Sequence, residues 1–164
     1  MLRSPFLHWV DLLYSFIIKI GSNLQSVFLL YMRIVWGHQF LIIGLGKLGD
    51  IHKVADFYTS LNIPFPLFNA YLVGTIETVG GFLLLIGFAS RLAAIPLIII
   101  MLTALSTAHA PNISNFRFLL EPLSLVKQDP YPFLITSILV FVFGPGRVSI
   151  DAWLKRWVDR QPRY

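Results

Sequence analysis

Apolar residues gather into four stretches with few interruptions, at 27–48, 67–89, 92–110 and 131–146. A hydrocarbon layer of about 30 Å takes about 20 helical residues to cross, so each stretch reads as a membrane span. The first contains Arg33 and His38 and ends near Lys47. The second holds one charge, Glu77, near its centre, and the third has no acidic or basic residue before its terminal His109. The fourth is uncharged but short. The pattern predicts an all-α fold: a four-helix transmembrane bundle with amphipathic interfacial helices at the N- and C-termini, making one membrane domain over 1–164.

The two flanking segments have a different periodicity. In 5–23 the polar residues His8, Asp11, Ser15, Lys19 and Ser22 recur at three- and four-residue steps, opposite Phe6, Val10, Leu13, Ile17 and Ile20. Such a two-faced helix lies in the plane of the membrane interface. A signal peptide is the competing reading, but Asp11 and Lys19 break its apolar region and no small-x-small cleavage site follows. Near the other end, Ser149 suits an N-cap. After it, Ile150, Trp153, Leu154, Trp157 and Val158 share one face, with Lys155, Arg156, Asp159 and Arg160 on the other. Residues 149–160 are therefore expected to form a second surface helix with its indoles at headgroup depth.

Composition strengthens the membrane reading. The 164 residues are 56% hydrophobic and 13% charged, with a mean hydropathy of +0.72, against about 25% charged in an ordinary soluble domain. Four spans put both termini and the turn between spans two and three on one side. That side holds eight basic residues: Arg3, Lys19, Arg91, Arg147, Lys155, Arg156, Arg160 and Arg163. The other side holds three, Lys53, Arg117 and Lys127. Positive charge marks the cytoplasmic side, so both termini are expected in the cytoplasm. The net charge of +5 then belongs to the membrane surface, and no nucleic-acid partner is expected because no nucleic-acid-binding motif accompanies it. The outer loops, 50–66 and 111–130, are long and half apolar.

Few residues offer chemistry. With no cysteine, the chain has no disulfide, thiolate nucleophile or thiolate metal ligand. The histidines lack metal-ligand spacing, so no metal site is expected. Haem ligation by His38 and His109 is disfavoured by their different depths. Glu77 is the informative residue, since a carboxylate near the bilayer midplane is costly. It is expected to be neutral or to have a partner, with His38 and Arg33 the candidates by depth. It reads either as a proton-handling or ligand-anchoring group or as half of a structural pair. Gly80 and Gly81, one turn on, read as a helix contact or as a slot for a flat ring. His109 and Lys47 could line a polar pocket at the outer face with 103–109.

The order of these motifs resembles the DoxX family of small bacterial inner-membrane proteins. It runs Gly44-Leu-Gly46-Lys47, then Phe57 leading to Asn62-Ile-Pro64, then Glu77-x-x-Gly80-Gly81. Leu84 to Gly87, Arg91-Leu-Ala-Ala, Met101, His109 and Gly144-Pro-Gly146-Arg147-Val-Ser149-Ile-Asp151 complete it. The resemblance covers about 28–152. It implies a membrane bundle, related to the membrane subunit of thiosulfate:quinone oxidoreductase and associated with oxidoreductase complexes of thiol and oxidative stress. It puts Lys47, Glu77, Gly80, Gly81, Arg91, His109, Gly144, Gly146, Arg147 and Asp151 at recurring positions. Of these, Arg91 and Arg147 are expected to anchor to headgroups and Asp151 to cap the C-terminal helix.

The leading expectation is a membrane subunit of an oxidoreductase complex that binds quinone. Glu77 and His109 are its catalytic candidates, and His38, Lys47, Gly80 and Gly81 its cofactor-binding ones. Electrons would come from a soluble oxidoreductase or sulfur-transfer partner. The alternatives are a non-catalytic scaffold recruiting such an enzyme, and a small proton-coupled transporter, for which four short spans offer room only as a homodimer.

Overall fold

The structure is a computed structural model that describes residues 5–107 and 126–160. Among these residues it is helical throughout, without strands. Helix α1 runs Pro5–Gly49, α2 Ile51–Ser60, α3 Pro66–Ile86, α4 Ser90–Thr107, α5 Pro130–Phe143 and α6 Ile150–Val158. Helix α1 packs against α3 and α5, and α4 against the same two, so these four close a ring. The short α2 lies over one end, against α3 and α1. The two ends of the ring are named here for α2 and α6.

Two boundaries differ from the expected ones. Residues 5–23 and the first span form one continuous helix of 45 residues, about 68 Å long at 1.5 Å per residue. No proline lies between Pro5 and Gly49 to break it. From Trp9 to Gln25 every residue is exposed, and burial begins around Ser26 and Leu29. The fourth apolar stretch yields a helix of 14 residues, because Gly144 (φ +79°) turns the chain out of it. Three helices, α1, α3 and α4, are long and apolar enough to cross a membrane, and α5 is a shorter apolar helix. This is a membrane protein, with a lipid bilayer around its apolar surface.

Close backbone contact sets the register of α1 on α3. A Cβ added to Gly44 would lie 2.5 Å from the Thr78 nitrogen, and one added to Gly81 would lie 2.6 Å from the Leu41 nitrogen. Any larger residue would push the helices apart, as at small-residue contacts in lipid. Around this seam Phe40, Leu84, Leu97, Met101, Phe133 and Val140 form the core. The Phe133 ring meets Phe40 and Trp36 edge-on, with centroids 4.7 and 5.0 Å away. A smaller cluster of Ile51, Ala55 and Ala70, with Leu48 and Tyr58 against it, fastens α2 to the ring.

The α6 end is closed by hydrogen bonds. Arg33 is 1% exposed and donates to four backbone carbonyls. They are Leu84 (Nε, 2.8 Å) and Leu85 (Nη2, 3.2 Å), at the end of α3, and Pro145 and Val148 (both Nη1, the latter 3.0 Å), in the turn before α6. The last carbonyls of a helix lack intrahelical donors and carry its negative end, so a buried guanidinium suits them. Gly87 ends α3 at φ +71°, where a Cβ would collide with the Arg33 guanidinium. Ser149 caps α6, as its position suggested, by accepting from the Ala152 nitrogen at 3.1 Å. Asp151 does not cap its own helix. Its carboxylate accepts from the nitrogens of Ala89 (2.8 Å) and Ser90 (3.1 Å), so it caps α4 instead. The Asp151 nitrogen, donating to the Gly87 carbonyl at 3.0 Å, holds α6 close enough for this.

Candidate functional site

The partner of Glu77 is Lys47. Its ammonium donates to Glu77 Oε1 at 2.8 Å and lies 2.7 Å from Oε2. Neither His38 nor Arg33, the two candidates by depth, reaches the carboxylate. Arg33 is committed to the four carbonyls of the α6 end, and His38 is exposed on the outside of α1. The buried stripe of α1 passes through Leu29, Arg33, Gly37, Phe40 and Gly44. His38 lies one residue off it, about 100° around the helix, and so points away from the bundle.

Two features of the fold bring Lys47 to Glu77. The seam at Gly44 and Thr78 sets the last turn of α1 level with the middle of α3. Helical side chains also lean toward their own N-terminus, so Lys47 leans inward from the end of α1. The side chain of Glu77 is 2% exposed and that of Lys47 27%. The carboxylate is thus closed off, and the lysine paired with it is partly open. Oε2 is buried and makes no hydrogen bond despite its closeness to the ammonium. Buried polar atoms are ordinarily bonded, so this oxygen has capacity for one more donor.

Tyr58 on α2 completes the surroundings. Burial first, and the Glu77 charge second, push its phenol up to about 12, so it stays protonated at any physiological pH. Sequence reasoning assigned no role to Tyr58, whose approach depends on how α2 folds back onto α3.

The other predicted positions fall elsewhere. Gly81 is pressed against the α1 backbone, and a Cβ on Gly80 would meet the Leu97 side chain at 3.0 Å. Close packing therefore occupies the space beside both glycines, leaving no slot for a ring there. His109 lies outside the described residues, as does the 111–130 loop up to residue 125. Among the described residues, no three His, Asp or Glu side chains gather as a metal site.

Residues 28–110, half of the chain, match DoxX. The chain belongs to the DoxX family. The match takes in both members of the Lys47–Glu77 pair and the Gly44–Gly81 seam. One relative, from Bacillus subtilis (strain 168), carries the name "Putative oxidoreductase CatD". It is 27% identical over 127 residues, covering 76% of this chain and 85% of its own length. A second, an uncharacterized membrane protein of Mycobacterium tuberculosis, is 30% identical over 103 residues, covering 60% of this chain and 63% of its own length. No solved structure matches this DoxX chain significantly.

Proposed function

We propose that this DoxX protein is the membrane component of an oxidoreductase complex and that its Lys47–Glu77 site binds a quinone. The observation that carries the reading is the buried Glu77 Oε2, which makes no hydrogen bond although it lies 2.7 Å from the nitrogen of a lysine whose side chain is 27% exposed. A quinone accepts two electrons and two protons. The electrons come from a partner chain, and the chain's own residues manage the protons. Lys47 donates a hydrogen bond to a quinone oxygen, and Glu77 takes up the two protons from water one after the other and passes each to the quinone. The bacterial relative named for oxidoreductase activity supports the reaction class. The excess of basic residues on the α6 side supports a cytoplasmic α6 end and both termini inside, in an inner membrane crossed four times if α5 also spans.

The test is quinone content and binding. The full chain is purified in detergent, extracted for quinone, and titrated with menadione and decylubiquinone by quenching of tryptophan fluorescence. Saturable binding is expected, weakened about tenfold or more in Lys47→Met/Glu77→Leu while the helical signal persists. Failure of the wild-type chain to bind either quinone, or equal binding by the folded double variant, overturns the reading.

One observation favours a second reading, a scaffold that recruits a membrane partner. His38 and Gln39 are adjacent and exposed in the packed half of α1, where each would place hydrogen-bonding groups in hydrocarbon. Such side chains bond across to other helices in membranes. Loss of a co-purifying partner, or of self-association, in His38→Leu/Gln39→Leu would support this reading over the first.

A further inference from the structure

At the α6 end, away from Lys47 and Glu77 and independent of their role, a cleft of about 600 Å³ opens between α1, the turn after α5, and α6. Three cations line it, Arg91, Arg147 and Lys155, with a single carboxylate, Asp151. Both oxygens of that carboxylate already accept backbone N–H groups from Ala89 and Ser90. The cations are far less committed. Arg91 donates one N–H to the Val142 carbonyl at 3.3 Å, and Arg147 one to the Asn23 side chain at 2.7 Å. Lys155 is exposed, with no ion pair to Asp151. Three positive groups from three parts of the chain thus converge on one concavity, with most of their donors unused.

The shape of the cleft depends on glycine. Gly144 and Gly146 both have positive φ, +79° and +81°, and a Cβ on Gly144 would meet the Arg91 guanidinium at 3.4 Å. On the α1 side, Gln25 and Ser26 add neutral hydrogen-bonding groups. The flanking helix α6 exposes Trp153 (61%) and Trp157 (54%), a residue type that settles at headgroup level. A guanidinium fork matches the paired oxygens of a phosphate, and an ammonium adds charge without geometry.

We propose that this cleft binds one phosphate ester per chain, through Arg91, Arg147 and Lys155. Two sources share that chemistry: the headgroup of an anionic phospholipid and a soluble phosphate ester. Native mass spectrometry of the full chain in neutral detergent counts bound molecules and separates the two. The probes are phosphatidylglycerol, phosphatidylcholine and glycerol phosphate. One retained phosphatidylglycerol, held about tenfold more tightly than phosphatidylcholine, identifies a lipid site. Saturation by glycerol phosphate alone identifies a soluble ester, and either result supports the proposal.

Arg91→Gln/Arg147→Gln/Lys155→Gln is expected to lose about tenfold or more in affinity. Lys53→Gln/Lys127→Gln, which removes two cations at the α2 end, is expected to keep it. Lys155→Gln alone, at an exposed position, guards against misfolding of the triple variant and is expected to weaken binding about threefold or more. The proposal is overturned if neither phosphatidylglycerol nor glycerol phosphate binds, if phosphatidylcholine is held as tightly as phosphatidylglycerol, if Lys155→Gln and the cleft triple bind like wild type, or if the control double variant loses as much as the cleft triple.

Discussion

The two ends of the bundle each bury a charged side chain, and they treat it differently. At the α6 end, Arg33 makes four hydrogen bonds to backbone carbonyls and is nearly saturated, since a guanidinium has five N–H donors. At the α2 end, Glu77 has one cationic neighbour and one oxygen without a hydrogen bond. A buried charge whose valences are all filled by main chain can do little except hold that chain in place. One that is paired but under-bonded keeps capacity for a proton or a ligand. Burial is about the same for both residues, at 1% exposure, so burial alone would not have told them apart.

If the comparison is right, the largest effect on folding comes from Arg33. Arg33→Met leaves the carbonyls of Leu84, Leu85, Pro145 and Val148 without their donor. Each charge-assisted bond contributes about 1.5–3 kcal/mol, so even heavy non-additivity leaves a loss of about 4 kcal/mol or more. The expected outcome is little folded protein by size-exclusion chromatography in detergent. Arg33→Lys rescues only partly, since an ammonium cannot fork between both groups of carbonyls. A well-folded Arg33→Met protein would mean that the α6 end does not depend on this residue.

The α2 end should show coupling in place of outright collapse. Lys47→Met and Glu77→Leu each strand one charge and are each expected to cost about 2–3 kcal/mol in detergent unfolding, at or below the lower end for buried pairs because Lys47 is 27% exposed. The double variant removes both charges and should cost less than either single one. Strict additivity would show that the two side chains do not act as a pair.

How much of this was legible depends on whether a feature is written along the helix or around it. The apolar runs marked the stretches that α3 and α4 occupy, though not where α3 ends, and Ser149 was readable as a cap because capping is local. The Lys47–Glu77 pair was not readable, although both residues stood out as candidates. Ranking partners by depth favoured His38 and Arg33, but contact across helices depends on rotation and side-chain direction. His38 loses by one residue beside Gly37, and Lys47 gains by leaning back along α1 from its end. The glycines at 37, 44, 74 and 81 carried that rotation in their seven-residue spacing, and that signal could have found the pair. Asp151 shows the same limit. It has the right chemistry for a helix N-terminus, but which N-terminus depends on how α6 folds back.

That trans cap supplies a smaller test at the α6 end. Asp151→Ala removes two hydrogen bonds to the start of α4, where Ala89 already has an unfavourable φ of +46°. A cost of about 2 kcal/mol is expected, at the upper end for caps, against about 1 kcal/mol for Ser149→Ala. Thermal unfolding in detergent ranks the two. Reversal of the order would mean that α6 is not held by α4.

The smallest effect is the most specific to the α2 end. The Tyr58 phenol, pushed up to about 12, has an unfolded value of about 10. A group whose folded value is raised binds its proton more tightly in the fold, so its contribution to stability is complete below about pH 10. That contribution is lost as pH rises from about 10 to about 12. Tyrosinate absorbance, taken as the difference between wild type and Tyr58→Phe, follows this one phenol. Lys47→Met/Glu77→Leu should lower its midpoint, because the Glu77 charge is gone. The midpoint should stay above that of a free tyrosine, because burial is the larger cause. A Tyr58 that titrates near 10 in the wild-type chain would put α2 away from the carboxylate. The α2 end would then lack the cover that separates the Lys47–Glu77 pair from the outside on that side.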